Sequence, residues 1–291
     1  MEEIRNDELI LRADSFGAEM QSLRDARTGE EYIWQGAPGL WSGHSPILFP
    51  IVGGLWDGTC REGGRELRIP KHGLVRRRPW KLSGRTATTM TYAIESDAET
   101  LATFPHDFRV EVTYHLAGRR LCVDFRVENT GLDTMWFQLG GHPAFVLPDF
   151  NDAGRPDGYV RLHGSVESRL MVGRQGCTRP ERYAAPCDAD GRIALGRATF
   201  DDESLIFDRH QVVRADLLRA DGSRRLTVES DAPVWLLWSP QGEHVPFTCI
   251  EPWYGLCDEE GFAGAIEARP YINHTAPGEE WEGGYTIDVA P

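Results

Sequence analysis

The sequence predicts an all-β protein built as a large antiparallel β-sandwich. Short segments of alternating or continuous apolar residues recur along the 291-residue chain, and Gly, Asp, Asn or Pro bounds most of them. No stretch keeps a helical period of about 3.6 residues over three turns, which argues against long helices. The 31 glycines and 18 prolines suit a chain with many turns between its strands.

The predicted strands follow one another along most of the chain. They are LILRAD (9–14), MTYAIES (90–96), FRVEVTYHLAG (108–118), RLCVDFRVENTG (120–131), GYVRLHGSVE (158–167), SLIFD (204–208), QVVRADLLRADGS (211–223), RLTVESD (225–231) and APVWLLWSP (232–240). The segments LAGRR and RADGSRR lie between strands and predict hairpin turns. Because no repeat, low-complexity tract or linker divides the chain, we expect residues 1–291 to form one sandwich domain.

The charge and the cysteines exclude several classes of protein. A net charge of −14 would repel nucleic acids and anionic membrane surfaces. No apolar stretch approaches the roughly 18 residues of a membrane span, and the acidic N-terminal segment lacks the apolar core of a signal peptide. None of the six cysteines forms a CxxC pair, so zinc spacing is missing and no metal is expected. We interpret the cysteines as reduced thiols of a cytoplasmic protein.

The first candidate functional residue is His142, in the segment QLGGHPAF. Pro143 biases His142 toward extended backbone, and Gly140 and Gly141 let a backbone or a ligand approach closely. Imidazole is also the side chain whose proton affinity lies nearest neutrality. The alternative is a buried histidine bonded to a backbone carbonyl.

The second candidate is Glu251, in the segment CIEPWYGLCD. It follows the apolar pair Cys249–Ile250 and precedes Pro252. A carboxylate at the end of an apolar strand is expensive to bury unless it is paired or used in chemistry. The alternative is a solvent-facing glutamate at a sheet edge.

Weaker candidates lie in two earlier segments. His72 stands between Pro70 and Gly73 in IPKHGLVRRRPW, where an exposed loop histidine is the alternative. Trp41 and Trp56 flank a proline-punctuated apolar stretch, and their flat faces would suit either a sugar or a β-core.

The order of SPILFPIVG, IPKHGLVR, GGHPAF and EPWYG resembles the aldose 1-epimerase (galactose mutarotase-like) family, especially its LacX-like branch. The resemblance covers nearly all of residues 4–289. It implies the large antiparallel β-sandwich, or supersandwich, of that family and a reaction that interconverts the α and β anomers of an aldose without metal or redox cofactor. A base would remove the anomeric hydroxyl proton and an acid on the opposite side of the sugar would protonate the ring oxygen. A small-molecule sugar would be the only partner, and the protein would be a monomer or homodimer.

The resemblance also implies roles for individual residues. His142 would be the acid, because an imidazolium can donate a proton if a neighbouring carboxylate keeps its pKa up, and Glu251 would be the base. His72 and Arg76 match sugar-binding positions of the family. Trp253 and Trp41 are weaker candidates for stacking on the sugar.

Two positions depart from the family pattern. Gly54 stands where a sugar-contacting arginine is expected, and Glu203 aligns with a sugar-binding aspartate within FDDESLIF. Both departures concern the substrate more than the reaction. The cluster 76–78 could compensate for the missing arginine by holding an acidic or phosphorylated sugar.

Two other functions remain open at this point. A non-catalytic sugar-binding or sugar-sensing protein would explain the changed arginine position. A glycoside-modifying enzyme would need two matched carboxylates, whereas the sequence offers one well-placed glutamate together with histidines.

Overall fold

The computed structural model describes residues 1–291 and confirms the all-β prediction. The first twelve strands are β1 Glu2–Arg5, β2 Leu9–Ala13, β3 Met20–Asp25, β4 Ile47–Leu48, β5 Cys60–Glu62, β6 Arg65–Leu67, β7 Lys81–Arg85, β8 Thr89–Glu95, β9 Phe108–Ala117, β10 Arg120–Asn129, β11 Met135–Phe137 and β12 Leu139–Gly141. The remaining strands are β13 Ala144–Val146, β14 Gly158–Gly164, β15 Ser168–Val172, β16 Thr178–Ala184, β17 Arg192–Leu195, β18 Leu205–Phe207, β19 Val212–Leu218, β20 Arg224–Glu229, β21 Val234–Trp238, β22 Phe247–Tyr254, β23 Asn273–Thr275 and β24 Glu280–Val289.

Helical structure is confined to short pieces. The one α-helix, α1, covers Ala98–Thr103, and the side chain of Asp97 caps it by accepting from the backbone N–H groups of Glu99 and Thr100. The 3₁₀ helices are Trp56–Gly58, Val75–Arg77, Arg174–Gly176 and Ile266–Ala268. None of these helices has the length and apolarity that crossing a membrane requires.

Two large antiparallel sheets dominate the fold. One has nine strands in the order β17-β14-β19-β20-β24-β10-β9-β8-β7. The other has eight, in the order β16-β15-β18-β21-β22-β12-β4, with β13 also paired to β22. Each of the nine predicted segments overlaps one strand, and both predicted hairpin turns connect paired strands, β9 to β10 and β19 to β20. The single-domain assignment stays a prediction.

Alternating burial shows how the sheets pack. In β9 and β10 every second side chain is buried, as expected for strands with one face on a core. Val110 and Val123 of the nine-stranded sheet belong to the same apolar cluster as Phe207, Leu237 and Ile250 of the eight-stranded sheet. The two sheets therefore share one core, as in a sandwich.

Strand β22 is buried along its whole length, because segments outside the sandwich cover its second face. Even-numbered residues such as Ile250 face the shared core. Side chains alternate along a strand, so Cys249, Glu251 and Trp253 share the opposite face. The sequence had suggested that Glu251 lies at the end of a strand. In the structure it lies inside the central strand β22.

An interruption in the sheet explains why Pro252 is tolerated in this strand. On one side of β22, β13 pairs with residues 247–249 and β12 pairs with residues 253 and 254, which leaves a gap at His142 and Pro143. The N–H of Ile250 donates to the carbonyl of Pro143 across this side. An N–H at position 252 would point to the same side, where the gap lies. Because proline has no N–H, no donor is left unpaired there. Because of this gap, His142 lies beside Glu251 without being paired to β22.

A buried ion pair fixes the chain just after β22. The Nε atom of Arg269 donates to Oδ1 of Asp258 at 2.7 Å, and both side chains are 0% exposed. The other Asp258 oxygen accepts from the backbone N–H of Trp56 at 2.9 Å. The pair therefore ties residues 256–258 to the segment that follows Gly54.

Replacing Arg269 by methionine should cost about 3–5 kcal/mol of unfolding free energy, because it leaves the Asp258 carboxylate buried without a counter-ion. Urea denaturation of the parent and the variant measures this loss. Arg68→Met is the matched control, since Arg68 forms an exposed ion pair with Glu66 and its removal should matter little. Equal effects of the two changes would contradict the prediction.

Candidate active site

A cavity of about 260 Å³ opens on the outer face of the eight-stranded sheet. A row of paired residues, Ile206 on β18, Leu236 on β21 and Glu251 on β22, forms part of its floor. All seven predicted site residues line this cavity: Trp41, His72, Arg76, His142, Glu203, Glu251 and Trp253. The fold thus brings together residues that are widely separated in sequence, while their individual roles stay predictions.

His142 and Glu251 lie side by side at the bottom of the cavity. His142 Nε2 is 3.4 Å from Glu251 Oε1, and the side chains are only 8% and 1% exposed. The structure differs here from the expectation of an acid and a base on opposite sides of a sugar. The chemistry tolerates the difference, because the anomeric hydroxyl oxygen and the ring oxygen of an aldose are both bonded to C1 and can be reached from one side.

Burial sets the protonation of this pair. It lowers the pKa of His142 to about 3, and the positive charge of Arg76 adds to the effect. Burial also raises the pKa of Glu251 well above its usual range. A neutral imidazole beside a protonated carboxyl group carries one transferable proton, the same number as an imidazolium beside a carboxylate. In either form, one group of the pair can donate a proton and the other group can accept one.

Tryptophan side chains hold the pair in place. Trp253 Nε1 donates to Glu251 Oε2 at 3.1 Å, which leaves Oε1 facing His142. Trp41 stacks on the imidazole of His142, with ring centroids 5.2 Å apart and planes 22° apart. Trp238, which the sequence analysis treated only as part of an apolar strand, meets the same imidazole edge-on at 5.5 Å.

The glycines before His142 make room for protein side chains and not for a ligand. A Cβ on Gly140 would lie 2.6 Å from Cδ1 of Trp253, and one on Gly141 would lie 2.5 Å from Cε1 of Tyr285. The sequence had suggested that these glycines open space for a sugar. Instead, Gly140 makes room for the Trp253 ring and Gly141 makes room for the Tyr285 ring.

His72 presents a hydrogen-bond donor to the cavity. Its Nδ1 accepts from the backbone N–H of Gly53 at 3.1 Å, and its own backbone N–H donates to the Gly53 carbonyl at 2.9 Å. In the neutral imidazole this leaves the proton on Nε2. Burial, together with the nearby His142, Lys71 and Arg76, lowers the pKa of His72 well below its usual range. His72 is thus a neutral donor fixed by the backbone.

Of the basic cluster 76–78, only Arg76 lines the cavity. Arg77 is exposed, and Arg78 pairs with Asp97 and Glu99 at 2.7 Å beside α1. Lys71, which the sequence analysis did not single out, is the second cation on the cavity wall. In the sequence, only the position of Lys71 directly before His72 indicates that it lies near the site.

The absence of an arginine at position 54 has a structural cause. A Cβ on Gly54 would lie 2.6 Å from the carbonyl oxygen of Gln175 and 3.3 Å from that of Gly176. The 174–176 turn therefore covers position 54 and separates its backbone from the cavity. Gly176 lines the cavity instead, and Lys71 Nζ lies 3.2 Å from where its Cβ would be.

Gly54→Ala should destabilise the protein by about 1–3 kcal/mol, because the added methyl group must displace the 174–176 backbone. Gly54→Arg should share this loss and gain no sugar affinity. Thermal unfolding and sugar-binding calorimetry measure the two effects. Gly196→Ala is the control, since its Cβ would meet nothing within 4 Å. Improved sugar binding by Gly54→Arg would contradict this explanation.

Glu203 enters the cavity from the turn that precedes β18. It has a left-handed backbone with φ of 67° and is the only residue of the acidic run 201–203 that lines the cavity. Asp202 instead lies 3.4 Å from Arg169. Glu203 with its left-handed backbone is half-buried, while Asp201 and Asp202 stay exposed.

The fold and the cavity together define a β-sandwich protein of the galactose mutarotase-like type. A solved structure of a galactose mutarotase related enzyme from Lactobacillus acidophilus superimposes with a TM-score of 0.90 at 31% identity, covering 100% of this chain and 97% of that one. A galactose mutarotase-like protein from Lactobacillus casei gives a TM-score of 0.94 at 26% identity, with both chains fully covered.

Sequence comparison gives the family. The profile of the family described as aldose 1-epimerase matches residues 3–288, so the chain belongs to that family. It is also 27% identical to the protein LacX of Lactococcus lactis subsp. lactis, over 99% of this chain and 98% of LacX. The family membership supports an enzyme of the isomerase type.

Proposed function

We propose that the protein is an aldose 1-epimerase that interconverts the α and β anomers of a hexose or a related aldose. The observation that carries this proposal is the buried contact of 3.4 Å between His142 and Glu251 on the floor of a sugar-sized cavity. Ring opening of an aldose needs one proton removed from the anomeric hydroxyl and one delivered to the ring oxygen. A pair that shares a single proton supplies both functions.

In the proposed reaction His142 is the acid and Glu251 the base. Transfer of the shared proton from Glu251 to His142 first gives an imidazolium beside a carboxylate. Glu251 then takes the proton of the anomeric hydroxyl while His142 protonates the ring oxygen, and the C1–O5 bond breaks. After rotation about C1–C2 the same proton transfers run in reverse on the other face of the aldehyde. The pair ends with the proton it began with.

Other cavity residues would hold the sugar. His72 offers a fixed Nε2–H donor, Arg76 and Lys71 offer charged donors, and the Glu203 carboxylate can accept from sugar hydroxyls. Trp41 and Trp253 present aromatic surface, although both are also engaged with the catalytic pair.

Polarimetry of freshly dissolved α-anomers of several aldoses tests the proposal. We expect the protein to speed the approach to the equilibrium rotation without changing its final value. If no aldose responds while calorimetry still detects sugar binding, the protein is a carbohydrate-binding or sugar-sensing module on the same fold. Release of a free sugar from a glycoside would instead favour glycoside cleavage.

Arg76→Ala tests whether the substrate carries a negative charge. A charge-assisted hydrogen bond contributes about 1.5–3 kcal/mol, so losing it should raise KM for a phosphorylated or acidic hexose by about tenfold to a hundredfold. KM for the neutral hexose should change much less. Arg77→Ala is the matched control, because Arg77 does not line the cavity. Equal turnover of neutral and phosphorylated hexoses by the Arg76 variant and the parent would exclude an anion-binding role.

A further inference from the structure

We infer that His142, Cys249 and Glu251 form a binding site for Zn²⁺ and that the bound ion blocks the sugar cavity. One imidazole nitrogen, one thiol sulfur and one carboxylate oxygen converge here, and all three atoms lie within 4.8 Å of one another. Nitrogen, sulfur and oxygen donors of this kind are the set that zinc prefers.

The spacing of the donors fits a tetrahedral zinc ion. With Zn–N and Zn–O bonds of about 2.0–2.2 Å, two ligands of a tetrahedron lie about 3.3–3.6 Å apart. His142 Nε2 and Glu251 Oε1 are 3.4 Å apart. The Cys249 sulfur would have to approach by about 1 Å to complete a Zn–S bond of about 2.3 Å.

The surroundings leave these donor atoms available. Trp253 Nε1–H donates to Glu251 Oε2, which leaves Oε1 beside His142 Nε2 as the oxygen available to an ion. The stacked ring of Trp41 and the edge of Trp238 hold the imidazole with Nε2 toward Glu251. The Cys249 thiol forms no disulfide and lies on the same face of β22 as Glu251. Such outer contacts orient ligands in zinc sites.

Charge balance also favours a divalent ion. Binding displaces the Cys249 thiol proton and the proton shared by His142 and Glu251 to solvent. A thiolate and a carboxylate then neutralise the two charges of Zn²⁺, which offsets the repulsion from Arg76 and Lys71 on the cavity wall.

The site has three protein donors and a fourth side that faces the cavity. His142 and Glu251 line the cavity, while Cys249 is fully buried beneath them. A water molecule would take the fourth position. Because the ion would occupy both proposed proton-transfer groups, bound Zn²⁺ should inhibit ring opening. This consequence rests on the proposed function, whereas the binding itself does not.

Titration with Co²⁺, which substitutes for zinc and reports thiolate ligation by its charge-transfer absorption, tests the binding. The parent and Cys187→Ser, a control at a half-buried thiol elsewhere, should both develop the band. Cys249→Ser and Cys249→Ala should lack it, and their Kd for Zn²⁺ by calorimetry should rise at least about tenfold. His142→Gln should weaken binding with the thiol intact, which covers the case in which the Cys249 variants do not fold.

Polarimetry then tests the consequence. Zn²⁺ should inhibit the parent and Cys187→Ser, and EDTA should restore their rates, while Cys249→Ser should resist the same concentration. A parent without the cobalt–thiolate band, or a band that persists in Cys249→Ser, would overturn the site. If the protein catalyses no mutarotation but shows the band, the proposed function fails and the metal site stands.

Discussion

Replacing Glu251 by glutamine should lower kcat for mutarotation by roughly 10²–10⁴, the usual contribution of one positioned acid or base. The amide has the shape of the carboxyl group and can still accept from Trp253 Nε1, so the cavity should keep its geometry. It cannot take the anomeric proton. Polarimetry gives the rate, and calorimetry with the same sugar should give a Kd close to that of the parent.

Glu181→Gln serves as the control for Glu251→Gln, because Glu181 is exposed on the edge strand β16. It should keep the parent rate. A Glu251→Gln protein that retains most of the parent activity would remove Glu251 from the reaction and with it the proposed mechanism. A loss of folding, seen as a lost thermal transition, would call for Glu251→Asp as the substitute.

His142→Gln should cause a rate loss of similar size, roughly 10²–10⁴, because the acid for the ring oxygen is missing. It should also change how stability depends on pH. In the parent between about pH 4.5 and 6.5, the folded pair carries one proton on Glu251, while the unfolded chain carries one on His142. Since folded and unfolded states bind equal numbers of protons, the pair adds no pH dependence in this window.

In the variant only Glu251 remains, protonated in the folded state and ionised in the unfolded chain above about pH 4.5. The unfolding free energy of the variant should therefore fall, relative to the parent, as the pH rises above about 4.5, because the unfolded chain releases a proton that the folded protein keeps. Urea denaturation at several pH values measures the difference. Parallel stability profiles for the two proteins would mean that His142 and Glu251 do not share a proton.

The shared proton changes the original interpretation of His142. The sequence suggested an imidazolium maintained by a neighbouring carboxylate. The structure provides that carboxylate, but burial and Arg76 disfavour the charged imidazole. A carboxyl group beside a neutral imidazole stores the same proton without two buried charges, and a proton transfer restores the charged form once the two groups, 3.4 Å apart here, approach to hydrogen-bond distance.

Several parts of the fold could be read from the sequence because they depend on local patterns. Alternating apolar residues identified β9 and β10, and the turn residues between them identified their hairpin. Strand β22 was only partly recognised, since Pro252 normally ends a strand. Its continuation depends on the gap opposite Pro143, which is a property of the neighbouring strands β12 and β13.

The all-β class, the family resemblance and seven of the residues that line the cavity could be predicted from the sequence, because apolar alternation and the order of the proline-bounded motifs are local patterns. How these residues act on one another depends on contacts that form only in the folded protein. Pairing of distant strands places His142 against Glu251, fills the space beside Gly140 with Trp253, and closes position 54 with the 174–176 turn. Protonation and access depend on such contacts through space, and no local pattern encodes them.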